Sequence, residues 1–439
     1  MTTPTAFIIT LGCPKNRVDS ENLETLFHKN GINTVSSPKD ASFLIINTCG
    51  FIEDAKRESI GEILSLIDEK KQGKKILVFG CLAQRYKDEL MAEIPEIDAI
   101  WGVGSEDEII RYCKETQISD ELTGKKQLRL KMPPNQPYVY LKAAEGCNRS
   151  CSFCVIPSIR GKFRSFPVDS IIENAKMQIL SGKKELVFVA QDLTSYGSDS
   201  NTSLPSLIRA VAAISGDFWI RLLYLYPTSV TDELIACIRD EEKVLKYFDI
   251  PFQHSEDRIL KAMGRGGGKI HQLKLVEKIR SRIPSATLRT TFIIGHPGET
   301  RSDFTALMNF VNEVRFDHLG VFSYSDEEGT LSHTMPKKVS VRTIKKRIDE
   351  IMMLQAKISY EKNLAIIGGT YPALIDEAGE NVLIGRLARH APEIDGNVII
   401  NLSGDEKMSH KTLSSFINVT ITDASEYDLT GKILTTGIK

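Results

Sequence analysis

The stretch Glu145–Arg160, EGCNRSCSFCVIPSIR, carries three cysteines in the spacing C-x3-C-x2-C: Cys147, Cys151 and Cys154. Three thiolates on one tight loop can hold three corners of a cubane [4Fe–4S] cluster, because thiolate is the preferred ligand of such clusters. With no fourth cysteine close by, one iron stays open. S-adenosylmethionine needs such an iron, which its amino and carboxylate groups can chelate. An electron from the cluster then splits its sulfonium to a 5′-deoxyadenosyl radical, chemistry that the cofactors carry and the protein positions. A structural zinc site fits poorly, since it closes with four ligands, usually as paired C-x2-C, and no neighbouring Cys or His completes this set.

Outward from that loop the chain alternates strand and helix. Upstream, Tyr138–Ala143 is an apolar β run; downstream, Glu185–Ala190, Ile220–Leu225, Phe248–Pro251, Leu288–Ile294 and His318–Phe322 read as further strands. Helical periodicity separates them over Val168–Leu180, Leu204–Ala213, Asp232–Asp240, His271–Arg282 and Arg301–Val314. Six such units exceed a small open sheet and fall two short of a closed eightfold barrel, so a partial (βα)6 barrel is expected. The preceding residues repeat the pattern: Ala6–Thr10, Ser42–Asn47 and Lys75–Phe79 as buried strands, with helices over Ser20–Asn30 and Ile52–Lys70. That predicts an N-terminal open parallel α/β sheet with right-handed crossovers. The polar stretch 116–136 reads as a linker, and Val339–Leu364 as a charged amphipathic helix. Thr370–Lys439 switches to short strands with turn signals, a small OB-like β-barrel. The expected class is α/β, divided at 1–122, 133–366 and 370–439.

Composition agrees with several folded units: 439 residues suggest two or three domains, and 41% hydrophobic residues supply more than one core. A net charge of −1 argues against bulk electrostatic capture of nucleic acid. No apolar run nears the ~18 residues of a membrane span. The start, MTTPTAFIITLGCPKN, lacks the basic region and long apolar stretch of a signal peptide, so a cytoplasmic location is expected. In that reducing compartment cysteines serve as ligands or catalytic thiols more readily than as disulfides.

Cys13, Cys49 and Cys81 are widely separated, yet each directly follows an apolar run: AFIITLGC, SFLIINTC and KILVFGC. Carboxyl ends of parallel strands share one edge, where open α/β sheets bind ligands, so the three thiols can converge. Gly12, Gly50 and Gly80 beside them would let backbone approach a bulky cluster. Spacing alone equally allows small thiols packed at strand ends. Cys113 and Cys237 sit inside helical patterns without partners and read as packing residues.

Together these features resemble the methylthiotransferase family of radical S-adenosylmethionine enzymes, across essentially the whole chain: a domain with three dispersed cysteines, a radical core and a C-terminal TRAM domain. The resemblance implies a second [4Fe–4S] cluster on Cys13, Cys49 and Cys81, and it puts Phe153, the aromatic before the third cysteine of the loop, near the adenine. LGCPKNRVDSE, IPSIRGKFRS, AQDLTSYG, FSYSDEEGT and APEIDGNV are similar to one branch, RimO. That branch modifies the β-carbon of an aspartate in small-subunit ribosomal protein twelve; the other large branch methylthiolates a modified adenosine beside the tRNA anticodon. The implied reaction uses one S-adenosylmethionine as methyl donor and another as radical source, with a reductant such as flavodoxin or ferredoxin and a sulfur donor as partners. The transferred sulfur is either a cluster sulfide or an added sulfur chain. The distant alternative is a non-catalytic iron–sulfur protein, against which the open corner argues.

Two further readings bear on substrate and cofactor. Residues 371–439 hold ten acidic side chains against six basic ones, a balance of −4 that repels phosphate and suits a basic protein partner over strong nucleic-acid binding. At the strand ends of the core, Gln191 and Gln253 are candidates to hold S-adenosylmethionine. His254, with no paired carboxylate in sequence, reads as structural. The run Gly264–Gly268, GRGGG, lacks the Lys-Ser/Thr ending of a phosphate loop and reads as a mobile loop beside the site. Lys337–Arg347 reads as the solvated face of a helix.

Overall fold

The computed structural model describes residues 4–70, 73–116, 136–402 and 413–434. Its N-terminal sheet is built from β1 (Thr5–Thr10), β2 (Asn33–Thr34), β3 (Phe43–Thr48), β4 (Lys75–Gly80) and β5 (Ala99–Ile100). All pairs are parallel, in the order β2-β1-β3-β4-β5. Every residue of β3 is buried, as a sheet covered on both faces requires. The covering helices are α1 (Pro14–Lys29), α2 (Glu53–Asp68), α3 (Cys81–Arg85), α4 (Lys87–Glu93) and α5 (Glu106–Glu115). Leu23, Phe27, Phe43 and Ile45 pack with α5 on one face, and Leu44, Ile46, Ile63 and Leu82 on the other. Helix α1 starts at Pro14 rather than at the expected Ser20. Proline suits a first turn, where its missing N–H costs nothing, and the buried polar Asn16, Asp19 and Ser20 interrupt the apolar period there.

The central unit runs through β6 (Tyr138–Lys142), β7 (Ala144–Glu145), α6 (Ile156–Arg160), β8 (Arg164–Ser165), α7 (Val168–Leu180), β9 (Glu185–Val189), α8 (Leu204–Ala212), β10 (Trp219–Leu222), α9 (Asp232–Asp240) and β11 (Tyr247–Asp249). It continues with α10 (Asp257–Ala262), α11 (Gly268–Arg282), β12 (Thr287–Ile294), α12 (Arg301–Val314), β13 (His318–Ser323) and α13 (Val341–Leu364). Strands β6, β9 and β10 pair in parallel, as do β11, β12 and β13. A parallel bridge, Ile220–Val244, joins the two halves into the expected open barrel. The short antiparallel pair β7–β8 ties together the two ends of the cysteine loop. Strand β10 stops before the expected Leu225 because Tyr224 adopts φ +64°, outside extended geometry. The basic run Lys337–Arg347, which enters α13, is not wholly a solvated face: Arg347 turns inward, buried, and pairs with Glu299 at 2.5 Å.

Strands β14 (Thr370–Ala378), β15 (Val382–Leu387), β16 (Val398–Asn401), β17 (Phe416–Ala424) and β18 (Leu429–Ile433) close into a five-stranded barrel. Its seam with the core is ionic. Buried Arg386 bonds Asp376 at 2.8 and 2.9 Å and Glu185 of β9 at 2.6 Å, while the other oxygen of Glu185 accepts from Arg221 of β10 at 2.6 Å. Asp395 accepts from Tyr247 at 2.6 Å, and Glu393 pairs with Arg17 of α1 and with Tyr138. Asp376, Glu393, Asp395 and Arg386 are therefore spent on docking, which corrects the reading of the barrel's whole acidic excess as a partner-facing charge. The expected linker, Thr116 and Gln136 apart, lies outside the described residues, as do Asp405, Glu406, Lys407, Lys411 and Lys439. Among the described residues no helix is long and apolar enough to cross a membrane.

Candidate functional site

The order β2-β1-β3-β4-β5 reverses direction between β1 and β3, and in open α/β sheets ligands bind at the carboxyl edge of that switch point. Cys13 lies there as the residue capping α1, Cys49 directly follows β3, and Cys81 opens α3. Asn16 fastens the three strand ends together. Its Nδ2 donates to the carbonyls of Leu11 at 2.9 Å and Thr48 at 3.1 Å, and its Oδ1 lies 3.6 Å from the Cys81 sulfur. Ser59 grips Cys49 through both backbone groups at 2.9 Å. Gly12, at φ +89°, meets Cys49 so closely that an added Cβ would stand 2.7 Å from the Cys49 Cβ. Around Gly50 the near atoms are backbone of Cys81 and Leu82, and around Gly80 they belong to Asn47 and Thr48. These glycines thus admit neighbouring chain close beside the three thiols.

The contiguous loop is held by backbone hydrogen bonds, within itself and to adjoining segments. Cys147 N–H donates to Gly161 at 3.1 Å, Cys154 N–H to Cys151 at 3.1 Å, and Ser152 N–H to Met263 at 2.9 Å. The glycine run packs on this loop: a Cβ on Gly264 would meet the Ser150 carbonyl at 2.6 Å. Within the same run, Arg265 stacks 4.2 Å over Tyr226 and reaches to 3.8 Å from the Cys151 sulfur. Cys113 and Cys237 are buried among apolar side chains, away from both triplets.

Both triplets line one cavity of about 490 Å³ between the sheet and the open barrel. Phe153, Gln191 and Gln253 line it too. Gln191 donates to Glu145 at 2.7 Å, and the side-chain oxygens of Gln191 and Gln253 are buried without a partner. Two orphaned acceptors in a cavity lined by six thiols suit a ligand that brings N–H groups together with iron–sulfur chemistry. Among the described residues no three Cys, His, Asp or Glu side chains converge tightly enough for a single ion; the corners of a cubane stand farther apart. Burial pushes the thiols of Cys49 and Cys154 up, to about 11 and about 12, and raises Cys81 and Cys147. Burial opposes ionisation of Cys13 as well, but Lys15, the Asn16 backbone and Arg160 outweigh it and lower that thiol.

Sequence reasoning missed the polar net behind the cavity. Arg160 Nη1 bonds Asp19 and Glu145, each at 3.0 Å, while Lys142 pairs with the same two carboxylates. Burial would raise Glu145, yet Lys142, Arg160 and Gln191 hold it down to about 2. The available signal was the polar pair Asn16-x2-Asp19 at helical spacing with the apolar Leu23 and Phe27. His254 is buried and lowered to about 3 by burial, and its Nε2 stands 3.8 Å from the buried Glu299 carboxylate, a neighbour that the sequence did not reveal.

Comparison with known proteins follows this layout. Residues 5–102 match the uncharacterized protein family UPF0004, 141–311 the radical SAM superfamily and 367–434 the TRAM domain. A protein of Thermodesulfovibrio yellowstonii named ribosomal protein uS12 methylthiotransferase RimO is 48% identical, over 97% of this chain and 99% of its own length. The protein of that name from Thermotoga maritima is 41% identical over 97% and 98%. The radical S-adenosylmethionine methyltransferase TsrM of Kitasatospora setae shares the fold, with a TM-score of 0.55 at 13% identity over 74% of this chain and 75% of its own.

Proposed function

The chain belongs to the RimO family of uS12 methylthiotransferases, and on that premise we propose that it places a methylthio group on the β-carbon of an aspartate in ribosomal protein uS12. It is a radical S-adenosylmethionine enzyme, and that superfamily implies S-adenosylmethionine and one [4Fe–4S] cluster. The observation that carries the fuller reading is the single cavity shared by the two cysteine triplets. In that reading Cys147, Cys151 and Cys154 hold one cluster with an open corner, and Cys13, Cys49 and Cys81 hold a second. Bound there, the first would supply the electron that breaks the sulfonium of S-adenosylmethionine, and the second would carry the sulfur to be methylated and transferred.

The chain's own residues orient and enclose. Phe153 offers its ring to the adenine, and Gln191 and Gln253 offer unpaired oxygens to N–H groups of S-adenosylmethionine. Apolar Phe51, Ile156, Leu225 and Ile293 line the cavity and keep out water and solvent hydrogens that would quench a carbon radical. The reading divides the chain at 1–122, 133–366 and 370–439, and includes a cytoplasmic location, a reductant such as flavodoxin or ferredoxin and a separate sulfur donor. Peptide mass spectrometry of uS12 from cells with and without the gene tests it. An aspartate-containing peptide should lose a methylthio increment on deletion. An unchanged uS12 together with loss of that increment from a tRNA adenosine would overturn the substrate and leave the chemistry standing.

A further inference from the structure

The two triplets are joined by one side chain. Arg160 stands at the end of α6, six residues past Cys154, and its side chain is 2% exposed. Its guanidinium is used on two edges. Nη1 is anchored by Asp19 and by Glu145, which lies two residues before Cys147. Nη2 points the other way, donating to Asn16 Oδ1 at 2.6 Å and to the Cys81 sulfur at 3.3 Å. The contiguous loop is thus bracketed by Glu145 and Arg160, which bond each other, and the bracket ends on a thiol of the dispersed set.

Charge makes this contact directional. Arg160 and Lys142 balance Asp19 and Glu145, so the anchored edge is neutralised and the sulfur-facing edge is fixed in place by the planar fork. Among the described residues neither Cys13 nor Cys49 accepts a side-chain N–H, so Arg160 gives Cys81 a side-chain hydrogen bond that the other two lack, while Lys15 brings positive charge to Cys13. Hydrogen bonds to cluster sulfurs and nearby positive charge favour the electron-rich state and raise a cluster's potential.

We propose that Arg160 is a positioning residue that hydrogen-bonds the Cys81 thiolate and raises the reduction potential of the cluster on Cys13, Cys49 and Cys81. The inference rests on the reading that these three cysteines hold a cluster. To isolate that site, the full chain carrying Cys147→Ala, Cys151→Ala and Cys154→Ala is reconstituted without oxygen, with Arg160, Arg160→Gln or Arg160→Lys. Bound iron is measured first, then a redox titration is followed by electron paramagnetic resonance. Equal iron in all three chains is expected. In Arg160→Gln the ratio of reduced to oxidised cluster at a fixed potential should fall about tenfold, or about 59 mV for a one-electron couple. Arg160→Lys, which keeps the charge but loses the fork, should fall part of the way. Equal iron with unchanged potentials in both variants overturns the inference. If Arg160→Gln does not load, Arg160→Lys decides alone, and a potential equal to that of the Arg160 chain overturns it. No iron in the Arg160 chain overturns the premise instead.

Discussion

One cavity is reached by two sets of three thiols along opposite routes. Cys147, Cys151 and Cys154 come from eight consecutive residues whose backbone bonds each other and the adjoining loops. Cys13, Cys49 and Cys81 come from three strand ends and meet only when β1, β3 and β4 pair in register and Asn16 links them. The contiguous set is a property of a loop; the dispersed set is a property of a sheet. The first should survive distant damage that the second does not.

The largest expected effect separates the two by chemistry. Cys151→Ala should bring 5′-deoxyadenosine formation to background while iron falls by about half, the dispersed site keeping its own. Cys81→Ala should reverse the pattern: cleavage of S-adenosylmethionine continues and the methylthio product is lost. Chromatography of both products decides, and cleavage persisting in Cys151→Ala would break the assignment. Next in size is Asn16→Ala, which removes the tie between strand ends and the amide oxygen beside Cys81 while leaving all three cysteines in place. Supporting residues of this kind are worth about 10–100-fold in metal affinity. Iron should therefore leave the Cys13 side first under a chelator, and equal loss from both sites would erase the distinction.

The smallest effect is in pH. His254 is buried in the core and its pKa is held down to about 3 by burial, against an ordinary 6.5. Between those values the unfolded chain binds a proton that the folded chain does not, so stability falls as pH drops through that window. Buried His296, His318 and His390 are lowered by burial as well and act in the same direction, so His254 supplies one share of the slope. Melting temperature should decline from pH 7 to pH 5, with a shallower slope in His254→Gln; an identical slope would remove His254 as a cause.

What could be read in the sequence followed the same division. The loop triplet needs covalent spacing alone, and the strand-end triplet needed the three apolar runs that precede Cys13, Cys49 and Cys81. The partial barrel was legible because its strands and helices keep their periods. The net around Arg160 was not, because Asn16 and Asp19 of α1 are far in sequence from Lys142 and Glu145 beside the loop, and each looks like an ordinary surface charge or amide. Arg386 and Asp376 misled for a related reason: a residue count assigns charge to a domain, not to the side of it that is buried. Gln191 shows a third limit, since its amide is committed to Glu145 and its oxygen alone faces the cavity.

The carboxylate of Glu185, shared between Arg221 of the core and Arg386 of the barrel, has a mechanical consequence. Removing that carboxylate would leave the Arg221 guanidinium buried without a counter-charge, at a cost of about 3–5 kcal/mol, so one acidic side chain rivets the barrel to the core. Were the barrel to hold the substrate, that fixed mounting would set one span between the held segment and the cavity mouth.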